Sequence, residues 1–183
     1  MNNLILTIDD GPTNATLEIA SFLKEKNIPA VFFCLGCQIE KHPDVAVEVC
    51  KMGFDLQNHS YSHPQFSLLS KKEIEEEITK TEVLLESTYE KAGVKRERKL
   101  FRYPYGEISL LFPPDKIMDL DIAKWHIDIE DYKSPERRTE LLGKIEFDIH
   151  DRIILMHDWE RRPLVGFVKV IDYLLQKQFN FIK

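Results

Sequence analysis

Two aspartates stand side by side in Thr7-Ile8-Asp9-Asp10-Gly11-Pro12. Like charges held that close repel unless a cation or a proton compensates, and a metal ion is the natural compensator. An ordinary Asp-Gly turn with one solvated carboxylate has the same local sequence, because Gly and Pro punctuate turns of every kind. His59-Ser60-Tyr61-Ser62-His63-Pro64 adds two imidazoles four residues apart. That spacing lets both reach one ion from a helical turn or a tight loop. Pro64 disfavours helical geometry at His63, so a turn is expected there. Two imidazoles and one carboxylate form the ligand set that catalytic zinc and other divalent ions use while keeping a position for water. Two unrelated surface histidines are the alternative.

Arg102-Tyr103-Pro104-Tyr105-Gly106 offers a permanent cation and a rigid turn whose backbone N–H groups could face a developing oxyanion. A loop with an arginine packed on aromatic rings would read the same way. His157-Asp158 follows the apolar run Ile153 to Met156 and supplies either an imidazole that donates a proton near neutral pH or a capping histidine.

Short apolar runs mark the strands that must carry these groups: Leu4 to Ile8, Ala30 to Phe33, Phe54 to Leu56, Leu100 to Phe101, Ile122 to Trp125, Ile153 to Met156 and Phe179 to Ile182. Helix signals fall between them. Asn14 can cap a helix through Leu23 that Asn27 and Pro29 stop, and Pro43 can open one that Gly53 closes. Ser70-Lys71-Lys72-Glu73 is a capping-box pattern, followed by Ile74, Ile78, Leu85 and Tyr89 near one face. Pro163 can open a last helix carrying Val165, Val168, Ile171, Tyr173 and Leu174 toward the core.

Strands separated by helices predict parallel pairing through right-handed crossovers, hence an α/β sheet or barrel. Asp9-Asp10, His59 and His63, Arg102 to Gly106, Asp128 and Asp131, and His157 each follow a strand, and catalytic groups of parallel folds gather beyond the C-terminal strand ends. Five groups are therefore expected on one face.

Composition narrows the function classes. With 183 residues, 43% of them hydrophobic, the chain suffices for one domain over residues 1–183, and no repeat or linker divides it. A net charge of −6 argues against nucleic acid as the main ligand. No long hydrophobic stretch precedes Asp9, so neither a signal peptide nor a membrane-spanning segment is expected, and the cytoplasm is the expected location unless a leader has been removed. Three cysteines, Cys34, Cys37 and Cys50, cannot all pair and cannot make a four-cysteine zinc site; the C-x-x-C at Cys34-Leu35-Gly36-Cys37 could be a redox pair, and a structural stretch after a strand is the simpler expectation. Trp125 and His126 read as packing and strand-end groups, and Glu75-Glu76-Glu77 as a solvated helix face.

Taken in order, these segments resemble the polysaccharide deacetylase family, also called the NodB-homology domain or carbohydrate esterase family 4. Thr7 to Pro12 is similar to the family's Thr-Phe-Asp-Asp-Gly-Pro with Ile8 in place of Phe, and His59 to His63 matches His-Ser/Thr-x-x-His. Arg102 to Tyr105 matches Arg-x-Pro-Tyr, and Leu155-Met156-His157 matches Leu-x-His. Asp128 to Tyr132 resembles Asp-x-x-Asp-Trp, with Tyr132 replacing Trp, and Ala30 to Phe33 resembles the family's second strand. The resemblance implies a distorted or incomplete (β/α) barrel of about seven parallel strands. It also implies metal-dependent hydrolysis of N-acetyl groups from an N-acetylated amino sugar or glycan, releasing acetate. Asp10, His59 and His63 would hold one divalent ion, zinc or alternatively cobalt, and Asp9 would be the general base, held by Arg102. The backbone N–H of Tyr105 would meet the oxyanion, and His157, supported by Asp131, would protonate the leaving amine. Two other readings are a hydrolase of small cyclic imides or ureides, whose relatives commonly depart from the metal triad, and a catalytically silent glycan-binding domain.

Overall fold

The computed structural model describes residues 3–113, 115–131, 152–158 and 164–183. Its strands are β1 (Asn3–Asp9), β2 (Ala30–Cys34), β3 (Asp55–Asn58), β4 (Leu100–Phe101), β5 (Lys116–Ile117), β6 (Leu120–Ile122), β7 (Ile127–Asp128), β8 (Arg152–His157) and β9 (Asn180–Phe181). The helices are α1 (Thr16–Glu25), α2 (Gly36–Lys41), α3 (Pro43–Lys51), α4 (Lys71–Ala92) and α5 (Leu164–Gln176). One sheet runs in the order β5-β6-β4-β3-β2-β1-β8-β7, and every described pairing is parallel except the β5–β6 hairpin. Leu4 pairs with both β8 and β9, so β9 occupies the edge of β1 that β2 uses further along.

Chain reach forces this sheet to curl. Strands β6 and β7 stand near opposite ends of it, six strand gaps apart, which in a flat sheet would be roughly 29 Å at ~4.8 Å per gap. Only residues 123–126 separate Ile122 from Ile127, a span of at most about 18 Å. The two ends are therefore drawn toward each other and the sheet curls into an incomplete barrel, with eight parallel strands and one antiparallel among the described residues where about seven parallel were expected.

Alternation along β1 decides what faces inward. Leu4, Leu6 and Ile8 lie in the main apolar core with Ile19, Ala20, Leu23, Val49, Leu85, Val170 and Leu174, so Thr7 and Asp9 point to the opposite, concave side. A second cluster, of Phe66, Ile74, Ile78, Phe101, Tyr103, Ile117 and Leu120, fills the β4–β6 end. Helix α4 joins the two clusters through Ile78 and Leu85, and each of its buried aliphatic side chains contributes about 1.5–3 kcal/mol relative to exposure. Its capping box forms as expected, Ser70 Oγ accepting from the Glu73 N–H and Glu73 from the Ser70 N–H, and Gly93 ends it in the left-handed region.

Four local expectations need correction. The first helix begins at Thr16 behind Ala15, without a side-chain cap from Asn14, because Thr13 and Thr16 hydroxyls organise the turn, and it runs on to Glu25. The fifth strand ends at Ile122 rather than reaching Trp125, because the chain there leaves β4 and crosses toward β8. Helix α2, only six residues long, was not foreseen. In α5 it is Phe167, Val170, Ile171 and Leu174 that are buried, while Val165 is 61% exposed and Val168 and Tyr173 are half-buried. Pro163 and Tyr132 lie outside the described residues. No described helix is long and apolar enough to cross a membrane.

Candidate active site

The turn after β1 is bound from three sides. Asp10 N–H donates to the Phe33 carbonyl (3.1 Å), the Gly11 carbonyl accepts from Leu35 N–H (2.9 Å), and the Asp9 carbonyl accepts from Asp158 N–H (2.8 Å). Asp10 has a φ of 77°, unusual for a residue with a side chain. Asp158 is fully buried; it accepts from Thr13 Oγ1 (2.7 Å) and from Thr16 Oγ1, and burial raises its pKa against the lowering effect of those bonds. A Cβ on Gly11 would lie 2.6 Å from Asp158 Oδ2, so glycine is required where the two segments meet. Nothing in the local sequence marks Asp158 except its place beside His157.

The loop after β3 brings two imidazoles to Asp10. His59 is buried, and its Nδ1 lies 2.8 Å from the Arg102 carbonyl, which can only accept, so Nδ1 carries the proton and Nε2 presents a lone pair. Burial lowers the His59 pKa and favours the same neutral form. His63 is lowered too, by burial and then by the charge of His59. Asp10 Oδ1 lies 3.5 Å from His59 Nε2 and 3.6 Å from His63 Nε2, and the three ligand atoms are all within 4.8 Å of one another. Burial, with the charge of Asp9 adding to it, raises the Asp10 carboxyl to about 6. Its buried Oδ1 accepts no hydrogen bond among the described residues. Two ligands about 2.0–2.1 Å from one tetrahedral ion stand roughly 3.3–3.5 Å apart, so these spacings fit a divalent cation shared by Asp10, His59 and His63.

The neighbouring carboxylate is held differently. Arg102, fully buried, donates from Nη1 to Asp9 Oδ1 (2.7 Å) and to Thr7 Oγ1 (2.8 Å), while its Nε and Nη2 reach the Ala123 and Lys124 carbonyls at 3.3 and 3.4 Å. The guanidinium stacks over Phe33 at 4.0 Å and near Trp125 at 5.5 Å. One side chain thus ties the Asp9 strand end to the segment that closes the barrel.

His157 lies beside Asp9 in the β1–β8 register. Its Nδ1 is 2.7 Å from Asp131 Oδ1 and its backbone N–H donates to Asp131 Oδ2 (3.0 Å), so the carboxylate grips ring and backbone together. Burial alone would lower the His157 pKa. The hydrogen bond and charge of Asp131, joined by the charges of Asp9 and Asp10, outweigh it and raise the imidazole to about 9. Tyr105 adopts a φ of 58°, a strained backbone of the kind concentrated at functional sites, and its ring lies edge-on to His63 at 4.5 Å.

A cleft of about 740 Å³ is lined by Asp9, Asp10, His59, His63, Tyr105 and His157, within the range of small-ligand sites. Arg102 and Asp131 stand behind that lining, and Asp128, half-buried with a carboxyl raised by burial, is part of it. Trp125 packs as expected and also lines the cleft. A Cβ on Gly106 would lie 2.6 Å from its ring, so Gly106 lets the indole close over the Pro104–Gly106 turn. Burial pushes the Cys34 and Cys37 thiols up, away from reactive thiolate, as a structural reading of the C-x-x-C requires.

A curled, mostly parallel α/β sheet with a carboxylate and two histidines clustered at its C-terminal strand ends defines the class of protein. The family model for polysaccharide deacetylase matches residues 2–114, and the chain belongs to that family. Peptidoglycan-N-acetylmuramic acid deacetylase PdaC of Bacillus subtilis is 32% identical over 98% of this chain and 37% of its own length. Peptidoglycan-N-acetylglucosamine deacetylase of Bacillus cereus is 32% identical over 93% of this chain and 61% of its own length. Chitooligosaccharide deacetylase of Rhizobium leguminosarum bv. trifolii is 30% identical over 85% and 71%. The chain thus spans between about a third and two thirds of the two peptidoglycan deacetylases. The solved structure of peptidoglycan deacetylase PdaC from Bacillus subtilis matches with a TM-score of 0.81 at 30% identity, covering 98% of this chain and 86% of that one.

Proposed function

We propose that residues 1–183 form a catalytic domain that hydrolyses N-acetyl groups from N-acetylated amino sugars of a glycan, with a divalent ion, zinc by preference and cobalt as a substitute. Relatives named as peptidoglycan and chitooligosaccharide deacetylases support the substrate class. The observation that carries the reading is the shared cleft: the Asp10, His59 and His63 cluster, the arginine-held Asp9 and the aspartate-held His157 line one cavity.

Asp10, His59 and His63 would hold the ion. When bound, it supplies Lewis acidity, bringing water from a pKa of about 15.7 toward roughly 7 and drawing charge from an amide carbonyl. Asp9 takes the proton that water gives up as its oxygen adds to the carbonyl carbon. Arg102 pins Asp9 Oδ1, while Oδ2 lies 3.6 Å from His59 Nε2 on the side of the cluster. The backbone N–H of Tyr105 donates to the oxygen on which negative charge collects. His157, which carries its second proton at neutral pH, donates from Nε2 to the sugar nitrogen as the carbon–nitrogen bond breaks, and Asp131 on Nδ1 fixes which nitrogen faces the substrate. Acetate and a free amine leave.

Chelator-stripped protein, assayed for acetate release from N-acetylglucosamine oligomers with small cyclic amides in parallel, tests this. Activity on the oligomers should vanish on stripping and return with zinc or cobalt. Undiminished turnover after complete stripping, or turnover of the cyclic amides alone, would overturn it.

A further inference from the structure

The acidic run on α4 is not uniformly a solvated face. Glu77 is half-buried and turned onto the histidine loop: its Oε2 accepts the backbone N–H groups of Tyr61 (2.9 Å) and Ser62 (2.8 Å), and its Oε1 accepts Ser62 Oγ (2.8 Å). Four more backbone groups of that loop are paired. Ser60 N–H donates to Asn58 Oδ1 (2.9 Å), His63 N–H to Ser60 Oγ (3.1 Å), and the Ser60 and Tyr61 carbonyls accept from Gly36 and Cys37 N–H at 3.0 Å each. Gly36 permits that approach, since a Cβ there would lie 2.6 Å from both Tyr61 Cδ2 and Thr81 Oγ1.

The loop needs such holding because it is strained. Ser60 and His63 both have positive φ, 68° and 60°, which residues with side chains rarely adopt without support. The two histidines are supported unequally. His59 is tied by its N–H to the Cys34 carbonyl (3.0 Å) and by Nδ1 to the Arg102 carbonyl. His63 depends on the Ser60–Ser62 turn that Glu77 grips.

We propose that Glu77 is a positioning residue for the metal centre: its carboxylate clamps the Tyr61–Ser62 backbone so that His63 is held in reach of the ion that Asp10 and His59 share. This rests on the reading of Asp10, His59 and His63 as the metal ligands. A carboxylate suits the task because one acceptor-only group can satisfy two amide donors and a hydroxyl at once.

The test uses the full chain, stripped of metal, with zinc affinity read by chelator competition and the ligand geometry by the visible absorption of the cobalt-loaded protein. Glu77→Ala should weaken zinc by about 10- to 100-fold, the usual effect of losing a group that orients a ligand, and should change the cobalt spectrum. Glu77→Gln keeps a carbonyl oxygen for the two amide donors and should restore most of the affinity, while Glu76→Ala on the exposed face should alter neither reading. If Glu77→Ala does not fold, Glu77→Asp, one methylene short, should still show weaker zinc binding and a shifted spectrum. Wild-type affinity with an unchanged cobalt spectrum in the folded Glu77 variant would overturn the proposal, even with a lowered metal-free melting temperature, because it would mark a purely structural contact. Failure of the unmodified chain to bind zinc would overturn the ligand assignment as well, so the two failures are distinguishable.

Discussion

Asp9 and Asp10 are neighbours in the chain and differ in what surrounds them. Asp9 meets a guanidinium at 2.7 Å, whereas Asp10 Oδ1 stands 3.5 and 3.6 Å from the Nε2 atoms of His59 and His63. The difference comes from backbone direction: Asp9 ends β1 facing the concave side, and the φ of 77° at Asp10 turns the next carboxylate toward the loop after β3. At His157 the chemistry is set by a partner 26 residues away. Asp131 raises the imidazole, so the protonated form is kept below about pH 9 and lost above it. Asp131→Asn removes that charge and leaves only those of Asp9 and Asp10 to oppose burial, which acts in the opposite sense. The alkaline limb of the pH–rate profile should therefore move to lower pH, and a profile with the wild-type limb would remove Asp131 from this role.

Elements deliver these residues through close contacts that depend on small side chains. Gly36→Ala would press a methyl group into Tyr61 and Thr81, and overpacking of this kind costs about 1–3 kcal/mol. A melting temperature lower by roughly 2–12 °C is expected by scanning calorimetry, together with weaker zinc binding in a chelator titration. Arg102→Leu should cost more, about 3–5 kcal/mol by urea unfolding, because it leaves Asp9 buried without its partner. What was legible in the sequence follows the range of the forces involved. The capping box at Ser70, the apolar face of α4 and the spacing of His59 and His63 are written within a few residues; the cap and the face are found in place, and the two histidines meet Asp10. Asp158 and Glu77 were not legible as site residues because their partners lie up to 145 positions away or on another element. The part Trp125 takes in lining the cleft was not legible for the same reason: it depends on where the chain crosses between β6 and β7.

At the scale of the whole molecule, curling of the sheet is what turns separate strand ends into one site. The short crossing from Ile122 to Ile127 draws the two edges toward each other, and Arg102 binds its carbonyls while holding Asp9, so curling of the sheet and the geometry of the cleft share a residue. An ion bound only by the folded protein must stabilise it. At a free zinc concentration of about 100 times Kd the gain is roughly 2.7 kcal/mol, or ~5–11 °C in melting temperature for a chain of this size. His63→Ala should show little of that shift.

Zinc content and acetate release, measured on the same preparations of the Asp9→Asn and Asp10→Asn variants, test the proposed division of labour between the adjacent aspartates most directly. Asp9→Asn should retain one zinc per chain while losing about 10²- to 10⁴-fold in turnover of N-acetylglucosamine oligomers, and Asp10→Asn should lose the zinc itself. Full turnover by Asp9→Asn, or an Asp10→Asn protein that keeps zinc at wild-type affinity, would contradict the account.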